Sequence, residues 1–136
     1  MVLIPEDDVN IAVLNEYLRR AFMNVSEPHE GSFMTLGSLV NTQIRLDEGK
    51  KDIHLIFVQK LQYLNMAEAC QACNTANSTL AYVTFSIEID NGSVMLLAIS
   101  TLDYKHGIIA PHLHRAVLVF EKVVEQALRS IFAKYL

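Results

Sequence analysis

Apolar and polar positions alternate with several different periods along this chain, and each change of period marks an element. Ile11, Leu14, Leu18, Ala21 and Phe22 recur at helical spacing, with Asn15, Glu16, Arg19 and Arg20 on the other side, which predicts a helix from about Val9 to Met23. Glu6, Asp7 and Asp8 stand at its N-terminal end, where negative charge is favoured. Pro28 and Gly31 punctuate the loop that follows. The period then becomes two. Val40, Thr42, Ile44 and Leu46 alternate with Asn41, Gln43, Arg45 and Asp47, the pattern of a half-buried antiparallel strand. "SFMTLG" before it reads as a further strand, and the more continuously apolar Ile53–Val58 after the Asp47–Lys51 turn reads as a central one.

A helical period returns at Met66, Ala69, Cys70, Cys73 and Ala76, all placed on one face, and Asn74 and Asn77 are expected to end that helix. Val83, Phe85, Ile87 and Ile89 alternate with Thr84, Ser86, Glu88 and Asp90. Asn91-Gly92 then joins this strand to Val94–Leu102 as a hairpin. That return strand is apolar on both faces, so each face needs a cover; a helix supplies one and another chain can supply the other. Pro111 opens a last helix running to Tyr135, with Leu113, Val117, Phe120, Val124, Leu128 and Ile131 as its stripe and Leu118 and Val119 widening it. The order is α-β-β-(β)-α-β-β-α. Strands grouped in hairpins with helices flanking them predict an α+β fold, a single antiparallel sheet of about five strands in one domain covering residues 1–136.

Composition narrows the class of role. Of the 136 residues, 51% are hydrophobic, more than a soluble monomer of this length requires. The longest apolar run, Val94–Ile99, falls far short of the roughly 18 residues of a membrane span, and the acidic start lacks the positive charge of a signal peptide. The expectation is a cytoplasmic protein with reduced cysteines and no membrane partner. The net charge is −4, and the eleven Lys and Arg are scattered, so the clustered basic footprint of a nucleic-acid surface is missing.

Candidate chemistry is sparse. Cys70-Gln71-Ala72-Cys73 has the C-x-x-C spacing, but it lies inside a helix with no basic neighbour to lower a thiol pKa, and no second ligand pair completes a zinc set. Both thiols are therefore expected to be buried, reduced and inert. Asp103 and His106, with His112 and His114 close by, form the one conceivable acid–base cluster; the alternative is a polar loop closed by Gly107. No phosphate-binding loop, dinucleotide fingerprint, nucleophile elbow or zincin motif occurs. No cofactor and no metal are expected.

The order of elements, together with "AEACQACNTANSTLAYVTFSIEIDNGSVMLLAIS", resembles the YbjN-like proteins, a family labelled as candidate bacterial sensory transduction regulators. The arrangement is also similar to that of the class I type III secretion chaperones of the CesT-like group. The short helix carrying Asn74 and Asn77, the strand after it, the Asp-x-Gly turn and the apolar return strand carry the likeness. The resemblance implies a secretion-chaperone-like α+β fold and a non-enzymatic homodimer that binds a segment of a partner protein. Its expected dimer or partner surface is Met95, Leu97, Ile99, Leu118 and Val119, the surplus apolar residues. The other reading is a small ligand-binding protein or enzyme with a His/Asp site near residues 103–114. Neither a reaction nor a substrate is written in the sequence.

Overall fold

The alternating segments pair into one antiparallel sheet whose strands are β2 (Phe33–Gly37), β3 (Asn41–Asp47), β4 (Asp52–Leu61), β5 (Thr84–Asp90) and β6 (Ser93–Asp103). Their spatial order is β2-β3-β4-β6-β5, so the meander β2-β3-β4 and the hairpin β5-β6 meet along a central β4–β6 seam. A computed structural model describes residues 3–21, 23–29, 33–37 and 39–136 of the chain. Asn91 (φ 50°) and Gly92 (φ 79°) are both left-handed, the two-residue hairpin geometry that the Asn-Gly pair signals. A second sheet, β1 (Leu3–Ile4) with β7 (Ile108–Ile109), has too little pattern to be read from sequence. It depends on Gly107, which sits at φ 83°; a Cβ there would lie 2.6 Å from the Ile4 carbonyl oxygen.

Three α-helices occur among the described residues: α1 (Ile11–Arg20), α2 (Met66–Thr79) and α3 (Ala110–Ser130). Asn10 caps α1 by accepting the Val13 N–H at 2.9 Å, and Asn65 caps α2 by accepting the Glu68 N–H at 2.9 Å. The first helix is thus shorter than its apolar pattern predicts, and Phe22 lies outside the described residues. The last helix stops at Ser130, short of the expected Tyr135, and a single 3-10 turn over Ala133–Tyr135 carries the stripe onward to a buried Tyr135.

All three helices contribute to one core on one face of the sheet. Leu14 and Leu18 of α1, Ala76 of α2, and Val117 and Phe120 of α3 join Ile44, Leu55, Leu96 and Ala98 there. Small residues on α2 (Ala69, Cys73 and Ala76) let it lie close to β5. The sheet's other face carries no fully buried side chain among the described residues.

Four expectations need correcting. Asn77 does not end α2, which continues to Thr79. Instead its amide donates to the Phe85 carbonyl and accepts the Phe85 N–H, both at 2.8 Å, and so fastens the helix to the outer edge of β5. Asn15, placed by its spacing on the polar side of α1, is buried, with Nδ2 donating to the Ser26 carbonyl at 2.7 Å and Oδ1 accepting from Arg19 Nε at 2.8 Å. Cys70 is exposed, whereas Cys73 is buried. At about 100° of turn per residue, Cys70 stands too far round from the Ala69–Cys73–Ala76 stripe to reach the core. Met66, expected on the same buried face, is 45% exposed at the first position of α2.

Candidate functional site

Strand alternation decides where the expected surface residues go. On β6, Leu96 and Ala98 face the core, so Met95, Leu97 and Ile99 project from the opposite, helix-free face. Register then sets their neighbours: Ile99 lies opposite Ile56, Leu97 opposite Val58, and Met95 opposite Lys60. The result is an apolar centre of Ile56, Val58, Met95, Leu97 and Ile99, in which Val58 is 52% exposed. Polar residues frame it. One end has Asp47, Asp52 and Asp103 aligned across three strands, with Arg45, His54 and Thr101 in the row next to them. The other end has Lys60 and Glu88 on either side of Met95. His54 Nδ1 lies 3.0 Å from Thr101 Oγ1, and the Arg45 guanidinium sits 4.7 Å from the Phe33 ring centroid.

Leu118 and Val119 do not join this patch. They belong to α3, on the helix-bearing side of the sheet. The five residues expected to form one surface are thus split between two faces. The sequence signal that would have completed the open patch is the outward half of β4, Ile56 and Val58, which a continuously apolar strand conceals.

Val119 instead lines a cavity of about 500 Å³ between α3 and the end of β6. The α3 wall is a stripe of His112, Arg115, Ala116 and Val119, at i, i+3, i+4 and i+7, with Phe120 beside it. Ser100, Thr101 and Leu102 of β6 and Tyr82 complete it, and among the described residues no carboxylate lines it. Tyr82 is left-handed (φ 72°) and 80% exposed. It precedes Thr84, the residue at which pairing of β5 with β6 begins, opposite Ile99.

The histidine cluster disperses. Asp103 Oδ1 accepts the Lys105 N–H at 2.7 Å, a turn-forming bond, and among the described residues nothing joins Asp103 to His106. His106 is exposed, His114 is half-buried on α3, and only His112 enters the cavity. No group of three His, Cys, Asp or Glu side chains suited to a metal occurs among the described residues. Burial first, and the neighbouring Cys70 second, push the Cys73 thiol up to about 11, the opposite of what a nucleophile needs. Burial also raises the Tyr104 phenol, helped by the carboxylates of Glu48, Asp47, Glu6 and Asp52. No helix among the described residues is long and apolar enough to cross a membrane.

Neither a protein-family model nor a curated protein sequence matches the chain. Among solved structures it is similar to YbjN from E. coli, described as a candidate transcription regulator. The TM-score is 0.80 at 13% sequence identity, over 93% of this chain and 93% of that one. Helices on one face of a β2-β3-β4-β6-β5 sheet, with α2 between its two hairpin units, are therefore shared architecture: the chain has the YbjN-like α+β fold.

Proposed function

We propose that this chain is a non-enzymatic, regulator-like binding module that works as a homodimer, with the open sheet face as the contact between two copies. The observation that carries the reading is the apolar centre of Ile56, Val58, Met95, Leu97 and Ile99 on a sheet face that no helix among the described residues covers. The area suits a dimer. Five strands about 4.8 Å apart and about 26 Å from end to end present a flat outline of roughly 600 Å², to which projecting side chains add, which approaches the roughly 800 Å² per partner of a standard interface.

The charges suit a two-fold contact as well. β4 runs from Asp52, in the acidic row, to Lys60 at the far end of the patch. Antiparallel packing of two identical faces brings each Lys60 toward the acidic row of the other copy, the self-complementarity that a two-fold interface requires. Against catalysis stand the raised Cys73 thiol, the dispersed histidines and the engagement of Asp103 in its own turn. The similar solved protein is described as a candidate transcription regulator, and a regulator that acts by binding is consistent with this reading. A secretion-chaperone role would use the same dimer with an exported partner.

Sedimentation tests the proposal. The wild-type chain is expected to run as a dimer at micromolar concentration. Leu97→Glu is expected to run as a monomer with unchanged circular dichroism, because Leu97 sits outside the core. A wild type that stays monomeric at high concentration would remove the dimer, and unfolding of Leu97→Glu would place that residue in the core instead.

A further inference from the structure

The cavity beside α3 adjoins a stretch of strand edge that the sheet leaves unpaired. β6 runs to Asp103, but its pairing with β5 starts at Thr84 opposite Ile99, so Ser100–Asp103 have β4 on one side and, among the described residues, no strand on the other. Which backbone groups are free follows from the ladder. Tyr104 donates its N–H to the Lys51 carbonyl on the β4 side at 2.9 Å, and antiparallel pairing alternates sides residue by residue. Tyr104, Leu102 and Ser100 therefore turn toward β4. Thr101 and Asp103 turn their N–H and C=O groups toward the vacant edge, where no described backbone group bonds them. Tyr82, left-handed just before β5, marks where the chain leaves this edge, and it lines the cavity beside it.

Three features thus meet in one place: free strand-edge amides, an apolar wall of Leu102, Val119 and Phe120, and two basic side chains, His112 and Arg115, one turn apart on α3. Arg115 makes no ion pair among the described residues. An extended chain satisfies the edge, an apolar side chain fills the wall, and a carboxylate complements the basic pair; the C-terminus of a polypeptide offers all three within one or two residues. We propose that this cavity binds the free C-terminal end of a partner polypeptide, added as a short strand to β6 at Thr101–Asp103. Its apolar last side chain lies against Val119 and Phe120, and its terminal carboxylate pairs with Arg115 and His112. This rests on the binding-module reading and names the segment recognised, at a site distinct from the open face.

The test is an NMR titration of the ¹⁵N-labelled full chain with a pool of N-acetylated pentapeptides ending in Leu or Phe as free acids. Parallel arms use the same pool as C-terminal amides, and octanoate. With the free acids, the Thr101 and Asp103 amides are expected to shift and to exchange with solvent at least ten-fold more slowly. The amide pool and the Arg115→Gln variant are each expected to bind at least ten-fold more weakly. Acid and amide pools binding equally would overturn the carboxylate assignment. Octanoate moving the Val119 and Phe120 resonances as the peptides do, without protecting Thr101 and Asp103, would overturn the strand-addition assignment in favour of a small-molecule site. No shift with any pool would remove the proposal altogether. Sedimentation of the same samples keeps the two readings apart, because a monomer that still shows protection at Thr101 and Asp103 retires the dimer and leaves this site standing.

Discussion

Cys70 and Cys73 lie three residues apart on α2, and only Cys73 belongs to the stripe that meets β5. A thiol-reactive reagent is therefore expected to label one equivalent quickly in the native protein and the second only after denaturant; two fast equivalents, or none, would contradict this placement. The raised thiol also gives a pH signature. Because the folded-state pKa lies above the thiol's ordinary value of 9.0, the unfolded chain ionises first, so stability is intact below about pH 9 and is lost as pH rises toward about 11. At about 1.4 kcal/mol per pH unit this amounts to up to ~3 kcal/mol. Tyr104 titrates above its usual range in the same direction, so the Cys73 share is the part of the alkaline loss that disappears in Cys73→Ala. Equilibrium urea unfolding at pH 8 and pH 10.5 measures it. Glu121 belongs to this scale too. It is 1% exposed on α3, and Oε2 accepts the Leu39 N–H at 2.9 Å, which ties the helix to the β2–β3 turn.

At the scale of elements, Asn77 shows what a helix can do for a strand. Its side-chain amide meets both backbone groups of Phe85, as a neighbouring strand would, so the outer edge of β5 is satisfied at that point by α2. Asn77→Ala is expected to cost about 1–2 kcal/mol in urea denaturation, the loss of two bonds at a partly buried place. Asn77→Asp keeps the acceptor for the Phe85 N–H but sets a carboxylate oxygen against the Phe85 carbonyl, so it is expected to be at least as destabilised as alanine; an alanine variant as stable as wild type would mean that water replaces the bonds without loss. This pairing also marks where the sequence stops being readable. The strand alternation at residues 40–47 and 83–89, the Asn-Gly hairpin and the α3 stripe depend on near neighbours, and the period reveals them directly. Asn77 and Asn15 depend on partners 8 and 11 residues away, Phe85 and Ser26, so composition could assign them only to a helix end and a polar face. The cavity stripe His112, Arg115, Ala116 and Val119 has legible spacing, but the free β6 edge that gives it meaning exists only once β5 is seen to start opposite Ile99.

For the whole molecule, the open face turns charge into a test of geometry. If two copies meet antiparallel through it, Asp52→Lys and Lys60→Asp each oppose like charges across the contact, and the double variant restores attraction. Sedimentation is expected to show a dissociation constant raised more than ten-fold in each single variant and returned toward the wild-type value in the double variant, since each of the two symmetry-related ion pairs contributes on the order of 1–2 kcal/mol. Equal behaviour of all four chains would argue for a different face or register. The split of Met95, Leu97 and Ile99 from Leu118 and Val119 belongs here as well. Surplus hydrophobicity was legible as a quantity, whereas its division between an open face and a cavity wall follows from which side of the sheet the helices take.

The β4–β6 seam has a consequence for how the chain reaches this state. The meander β2-β3-β4 and the hairpin β5-β6 close through short turns and form early, but the seam joins Asp52 to Asp103 and Leu61 to Val94, so its loops span about 30 to 50 residues. Folding is then expected to dock two locally assembled halves, with the docking step setting the rate. Until it happens, both seam edges are bare, β4 on one half and β6 on the other. Two newly made chains can then satisfy them by exchange, the hairpin of one zipping onto the meander of the other with α2 as the bridge. Refolding from denaturant at high protein concentration is therefore expected to yield more intertwined dimer, by sedimentation, than refolding by slow dilution.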